Sequence, residues 1–196
     1  SLSDSCVSQA QAMLAAASTL AGDTKAAREA FMQAEYYADK IRNDFDRVES
    51  QRTLALCHYV AGNARKAEAV ARDALVLGLR HSCYYPAFTA LVLLVQLALG
   101  RDDRDEARFF LAEASYCLST GLLLPSKDAI LYYYYASRLA RDDDGGERVA
   151  RHAAVARRLL EDEKARLGDP ALVANLLSVR GFGDMDTRLA PLGKDA

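Results

Sequence analysis

Apolar residues recur along this chain at three- and four-residue intervals over stretches several turns long, the spacing of one face of an α-helix. Nowhere do they alternate with polar residues over a sustained run flanked by hairpin turns, so strands are not expected. Short polar breaks interrupt the helical stretches at a near-regular interval. Leu20-Ala21-Gly22-Asp23 is followed by Val60-Ala61-Gly62-Asn63 and then by Ala98-Leu99-Gly100-Arg101, which sets the glycines 40 and 38 residues apart. A degenerate fourth copy, Leu139-Ala140-Arg141-Asp142, runs on into Asp143-Asp144-Gly145-Gly146. Self-similarity at this period points to stacked helical hairpins, each too small to bury its apolar face alone.

The breaks carry the residues that helix ends require. Gly22, Gly62 and Gly100 can take the left-handed conformation that closes a helix, and Asp23, Asn63 and Asp103 then stand as N-caps. Gly121 ends a further helix, Pro125-Ser126 restarts one, Gly168 ends another, and Asp169-Pro170 pairs a cap with proline at the first helical position. This punctuation predicts helices over 4–21 with 24–42, 46–61 with 64–80, 85–99 with 103–120, 126–141 with 146–167, and a closing helix over 170–179. The expected organisation is one helical repeat domain over 1–180, with units 4–42, 46–80, 85–120 and 126–167 and a cap at 170–179, followed by an irregular or loosely docked tail over 181–196.

The pattern resembles tetratricopeptide repeats, whose hairpins carry a small residue in the first helix, glycine at the turn and alanine at two places in the second helix. Ala55, Gly62, Ala67, Ala74 and Leu75 fill these places in the second unit, and Ala15, Gly22, Ala27, Phe31 and Ala34 in the first. In the third, Ala107 and Ala114 fit only if the turn Arg101-Asp102-Asp103 carries two extra residues, and in the fourth Tyr135 stands where a small residue belongs. The family's tryptophan is absent. Units near 40 residues are similar to the longer repeats in interaction and sensor regions of bacterial regulators. The resemblance implies an all-α fold, a right-handed superhelix or α-solenoid of about four antiparallel hairpins plus a capping helix. The alanines have a physical role, because helices approach closely only where a methyl replaces a larger side chain.

Composition sharpens this picture. The 196 residues are 51% apolar and 27% charged, ordinary for a globular chain, but include 36 alanines. Arginine outnumbers lysine 19 to 6, a skew that fits a high-GC bacterial source. With 27 acidic against 25 basic residues the net charge is -2, so no direct nucleic-acid partner is expected. Cys6, Cys57, Cys83 and Cys117 lie one per unit with no CxxC, and read as small core residues in a reducing compartment. The start SLSDSC lacks a basic region and an apolar core, and the most apolar stretch, 87–99, is far short of the ~20 residues a span needs, so a cytoplasmic protein without membrane contact is expected.

Catalytic and metal chemistry find no footing. Cys57-His58 and His81-Ser82-Cys83 hold four metal-capable side chains, but residues adjacent on a helix point about 100° apart and do not reach one ion together. In Asp142-Asp143-Asp144-Gly145 the fifth place of a calcium loop would be Gly146 and the twelfth Ala153, neither a ligand. No phosphate-binding, nucleophile-elbow, zinc-protease or dinucleotide motif occurs. No enzyme, cofactor or metal is expected.

Ten tyrosines, including the run Tyr132-Tyr133-Tyr134-Tyr135, give the chain large rings with polar tips, of which most would fill inter-helix space and at least one would face a groove or partner. By the family resemblance the first helix of each pair lines the concave face, and projecting it gives Gln9, Ala12 and Ala16, then Glu49, Arg52, Leu56 and Tyr59, then Ala87, Ala90, Leu94 and Leu97, then Ala129, Tyr132 and Ala136. The residues expected to bind a partner are Arg52, Leu56, Tyr59, Ala90, Leu94, Leu97, Tyr132 and Ala136. Such an apolar trough suits a partner protein, a helix or peptide, or a second copy as a homodimer. The alternative is a ligand- or peptide-sensing effector domain of a bacterial transcriptional regulator, marked by a closed pocket on which Arg52, Tyr59 and Tyr132 converge.

Overall fold

Three helix pairs follow one another in a register of forty residues. A computed structural model of the chain describes residues 3–140, 146–178 and 185. In it α1 (Asp4–Leu20), α3 (Asp44–Val60) and α5 (Tyr84–Gly100) alternate with α2 (Thr24–Lys40), α4 (Ala64–Arg80) and α6 (Arg104–Ser119). The pair α7 (Ser126–Leu139) and α8 (Glu147–Leu167) leaves that register, and α9 (Pro170–Ser178) closes the described helices. The described residues contain nine helices and no strand, each hairpin packing on the next, an architecture compatible with a helical repeat fold.

The turns explain the register and correct one expectation. Gly22 and Gly62 take φ +81° and +78° as expected, but in the turn between α5 and α6 the left-handed residue is Asp102 at φ +61°, and Gly100 is the last residue of α5. No residues are inserted in the third turn. Aspartate is among the few side chains that tolerate this conformation, which is why a non-glycine residue can hold the place. The first turns are capped by side chains: the Ala26 amide donates to Asp23 Oδ1 at 2.9 Å, Asp46 to Asn43 at 3.0 Å and Glu106 to Asp103 at 3.0 Å. Asn63, expected to cap α4, makes no such bond. The fourth turn, expected around Asp142, and the tail over 181–196 lie outside the described residues apart from Met185.

Forty-residue spacing sets the alanines in columns. Ala27, Ala67 and Ala107 form one, Ala34, Ala74 and Ala114 another, and all six are buried. They let the second helix of each pair lie close against its neighbours. Gly78 serves the same end, for an added Cβ there would sit 3.1 Å from the Ala87 methyl and 3.3 Å from Val48 Cγ1. One apolar cluster joins α1, α2 and α3 through residues such as Ala15, Phe31 and Leu54. A larger one surrounds α5 and draws in α4, α6, α7, α8 and the fully buried Met185.

First helices of successive pairs pack directly together, α1 with α3, α3 with α5 and α5 with α7, whereas α2 and α4, and α4 and α6, meet through long side chains, Lys66 with Glu35 and Arg72 with Glu106. The first helices therefore form the inner layer of the stack. Two of the four cysteines depart from their expected place, for Cys57 and Cys117 are buried whereas Cys6 is exposed and Cys83 is the partly exposed N-cap of α5. All four are free thiols.

Candidate interaction surface

α5 decides the shape of the inner face. From Ala90 to Val95 every side chain is buried, and among its partly exposed residues are Tyr85, Thr89 and Gln96, which share one face at helical spacing. Ala90, Leu94 and Leu97, expected to line the trough, lie in the core at 1%, 1% and 5% exposure and have no surface to offer a partner. The projection fails here because a helix apolar on almost every side carries no amphipathic signal to orient it. Its polar positions, Thr89 and Gln96 with Tyr85 above them, hold the missing information.

The surface that does open on the inner layer is a dimple between α3, α5 and α7. Leu56, Val92, Leu93 and Leu131 form its apolar lining, and Arg52, Thr89, Gln96 and Asp128 its polar part. The enclosed space is about 20 Å³, enough for one water-sized group. Arg52 and Leu56, both named from the sequence, line it from α3, one turn apart.

Two polar pairs flank the dimple. Arg52 Nε donates to Glu49 Oε2 at 2.9 Å, and a second guanidinium nitrogen bonds the other carboxylate oxygen. Burial opposes the Arg52 charge, but the hydrogen bond and charge of Glu49 outweigh it and leave the guanidinium pKa raised. Across the dimple, the Tyr85 hydroxyl donates to Asp128 Oδ2 at 2.9 Å, fixing a carboxylate that is only 3% exposed. Burial, then the Asp128 charge and hydrogen bond, push the Tyr85 phenol up to about 12. Tyr85, Thr89, Gln96 and Asp128 were not among the expected binding residues, although their spacing on α5 and at the start of α7 contained the signal.

The remaining expected residues lie elsewhere. Tyr132 and Ala136 line an open cleft between α6, α7 and α8 together with Arg108, Arg151 and His152. There the Tyr132 hydroxyl is 2.5 Å from Ser115 Oγ, while its ring meets Phe88. Tyr59 is half-buried against the larger cluster, and burial raises its pKa. Arg52 and Tyr132 therefore line different depressions and do not converge on one pocket with Tyr59. Of the tyrosine run, Tyr132, Tyr134 and Tyr135 are buried, and Tyr133 lies half-exposed with its ring 5.9 Å from His152.

The histidines and cysteines singled out by the sequence serve separate ends. His58 is buried and stacked on Phe31 at 4.1 Å, and His81 Nδ1 lies 2.9 Å from Asp44 Oδ2. No group of three or more potential metal ligands occurs among the described residues. Among those residues, no helix is long and apolar enough to cross a membrane. No protein-family model matches the chain, and neither a curated protein nor a solved structure is significantly similar to it. The class rests on the chain's own repetition: it is an all-α protein of consecutive, repeat-like helix pairs.

Proposed function

We propose that the chain is a non-catalytic protein-interaction module of tetratricopeptide-like type that seats a helix or peptide of a partner protein on its inner face. The observation that carries this reading is the dimple between α3, α5 and α7, whose leucine and valine floor is bordered by Arg52, Thr89, Gln96 and Asp128. A methyl-sized tip of one aliphatic side chain of the bound segment would enter the dimple, while the polar border would bond its backbone. Because Glu49 and Tyr85 already hold Arg52 and Asp128, little side-chain order would be lost on binding.

The test is selection of peptides from a random library against the intact chain, with the site mapped by amide chemical shifts. The reading expects shifts at Arg52, Leu56, Thr89 and Gln96, and loss of binding in Leu56→Asp with helicity retained. Peptides that bind equally well to Leu56→Asp would overturn it. A metabolite that raises the melting temperature, with no peptide selected, would favour the ligand-sensing regulator domain instead.

A further inference from the structure

The start of α4 differs from the equivalent places forty residues to either side. Asp23 and Asp103 cap α2 and α6 with a carboxylate, whereas Asn63 is neutral and leaves the first turn of α4 uncapped. Among the described residues, the amides of Ala64, Arg65 and Lys66 have no acceptor. The first turn also carries two cations, Arg65 and Lys66, where α6 carries Asp105 and Glu106. Cations at a helix N-terminus work against its dipole and favour a negative group there, and of the two Lys66 is answered by Glu35 of α2.

A second observation comes from α3. His58 lines the groove at this helix start together with Asn63, Arg65 and Lys66. The side chain is 3% exposed, and neither ring nitrogen has a hydrogen-bond partner. A buried imidazole without partners is expensive to keep. The charged groups facing it are Glu35 of α2 and Lys66 of α4: Lys66 Nζ lies 2.8 Å from Glu35 Oε1, and that same oxygen lies 3.6 Å from His58 Nε2, beyond hydrogen-bond length.

We propose that the N-terminus of α4 is an oxyanion site for a phosphate group, bound by the amides of Ala64, Arg65 and Lys66 and by the Arg65 and Lys66 side chains, with His58 taking up a proton as the group binds. Helix starts with free amides and adjacent cations have the geometry and charge for this ligand. The incoming anion draws Lys66 away from Glu35. Glu35 then accepts a hydrogen bond from His58, which has taken its proton from solvent. Two cations and a helix end against one carboxylate match a doubly charged ligand better than a singly charged one.

The experiment titrates the isotope-labelled chain with inorganic phosphate and follows the amides of Ala64 to Lys66 and the His58 ring. Saturable shifts at those amides, a rise in the His58 pKa, and net proton uptake by calorimetry in two buffers are expected. Asn63→Asp, which gives α4 the carboxylate of its neighbours, should weaken phosphate binding by about tenfold or more, since the new cap competes for the same amides. It should also raise the melting temperature. A phosphoserine peptide forms a second arm, and whichever ligand saturates at lower concentration assigns the phosphate as peptide-borne or free. Absence of saturable shifts with both, an equal response to acetate, or undiminished binding in Asn63→Asp overturns the proposal.

Discussion

Gly62 and Asp102 hold the same left-handed backbone conformation forty residues apart, at φ +78° and +61°. One does so without a side chain and the other in spite of it. Asp102→Gly should therefore keep or increase stability, by up to about 1 kcal/mol, the released strain being partly offset by the added freedom of the unfolded chain. Gly62→Ala should lose about 1 kcal/mol. Denaturant midpoints at constant slope check both. Destabilisation by Asp102→Gly would show that the aspartate side chain, not the backbone angle, is what the turn needs.

Ala74 and Ala114 occupy one column of the repeat and are fully buried. Replacing either with leucine forces three extra carbons between packed helices, and a loss of about 1–3 kcal/mol is expected at each. Equal losses at the two sites, measured by chemical denaturation, support the forty-residue register. A neutral result at both would mean the column does not exist.

Met185 is wholly buried in the larger cluster, well beyond the last residue of α9. Met185→Ala should cost about 2–5 kcal/mol, the range for deleting a buried long side chain. A thermal melt that does not change would show that this residue is not part of the core in solution.

His58 and His152 both have pKa values lowered from 6.5, mainly by burial, with Lys66 acting on the first and Arg148 and Arg151 on the second. The unfolded chain binds these protons near pH 6.5, and the folded chain only at lower pH. Stability from both groups is therefore present above about pH 6.5 and lost as the pH falls from there toward the folded values. The melting temperature of His58→Leu should fall less than that of the parent over this window. Parallel pH profiles for the two proteins would place His58 in a solvated setting.

Much of the fold was legible in the sequence because helix ends are chemically marked. Gly22, Gly62, Gly121 and Gly168 all adopt positive φ where a helix was expected to stop, and Ala64 to Arg80 forms α4 with the expected ends. The third turn was misplaced because Gly100, a plausible stop, lies two residues before the residue that makes it. The inner face was harder to read. Arg52 and Leu56 sit on α3 and line the dimple. Leu94 and Leu97 sit on α5, where periodicity has almost no contrast, and only neighbouring helices decide which side is covered. Asn63 shows a third kind of limit, since a residue suited to capping need not cap.

The enclosure of α5 has a mechanical meaning. An open helical-repeat stack flexes like a spring because each unit touches only its neighbours along the axis. Here one helix is gripped by α3, α4, α6 and α7 at once, so bending the stack at its middle would have to unpack a filled core. Deformation at the centre of the stack would therefore break contacts to four helices at once. A segment laid along the inner face would find at α5 a seat braced from four sides.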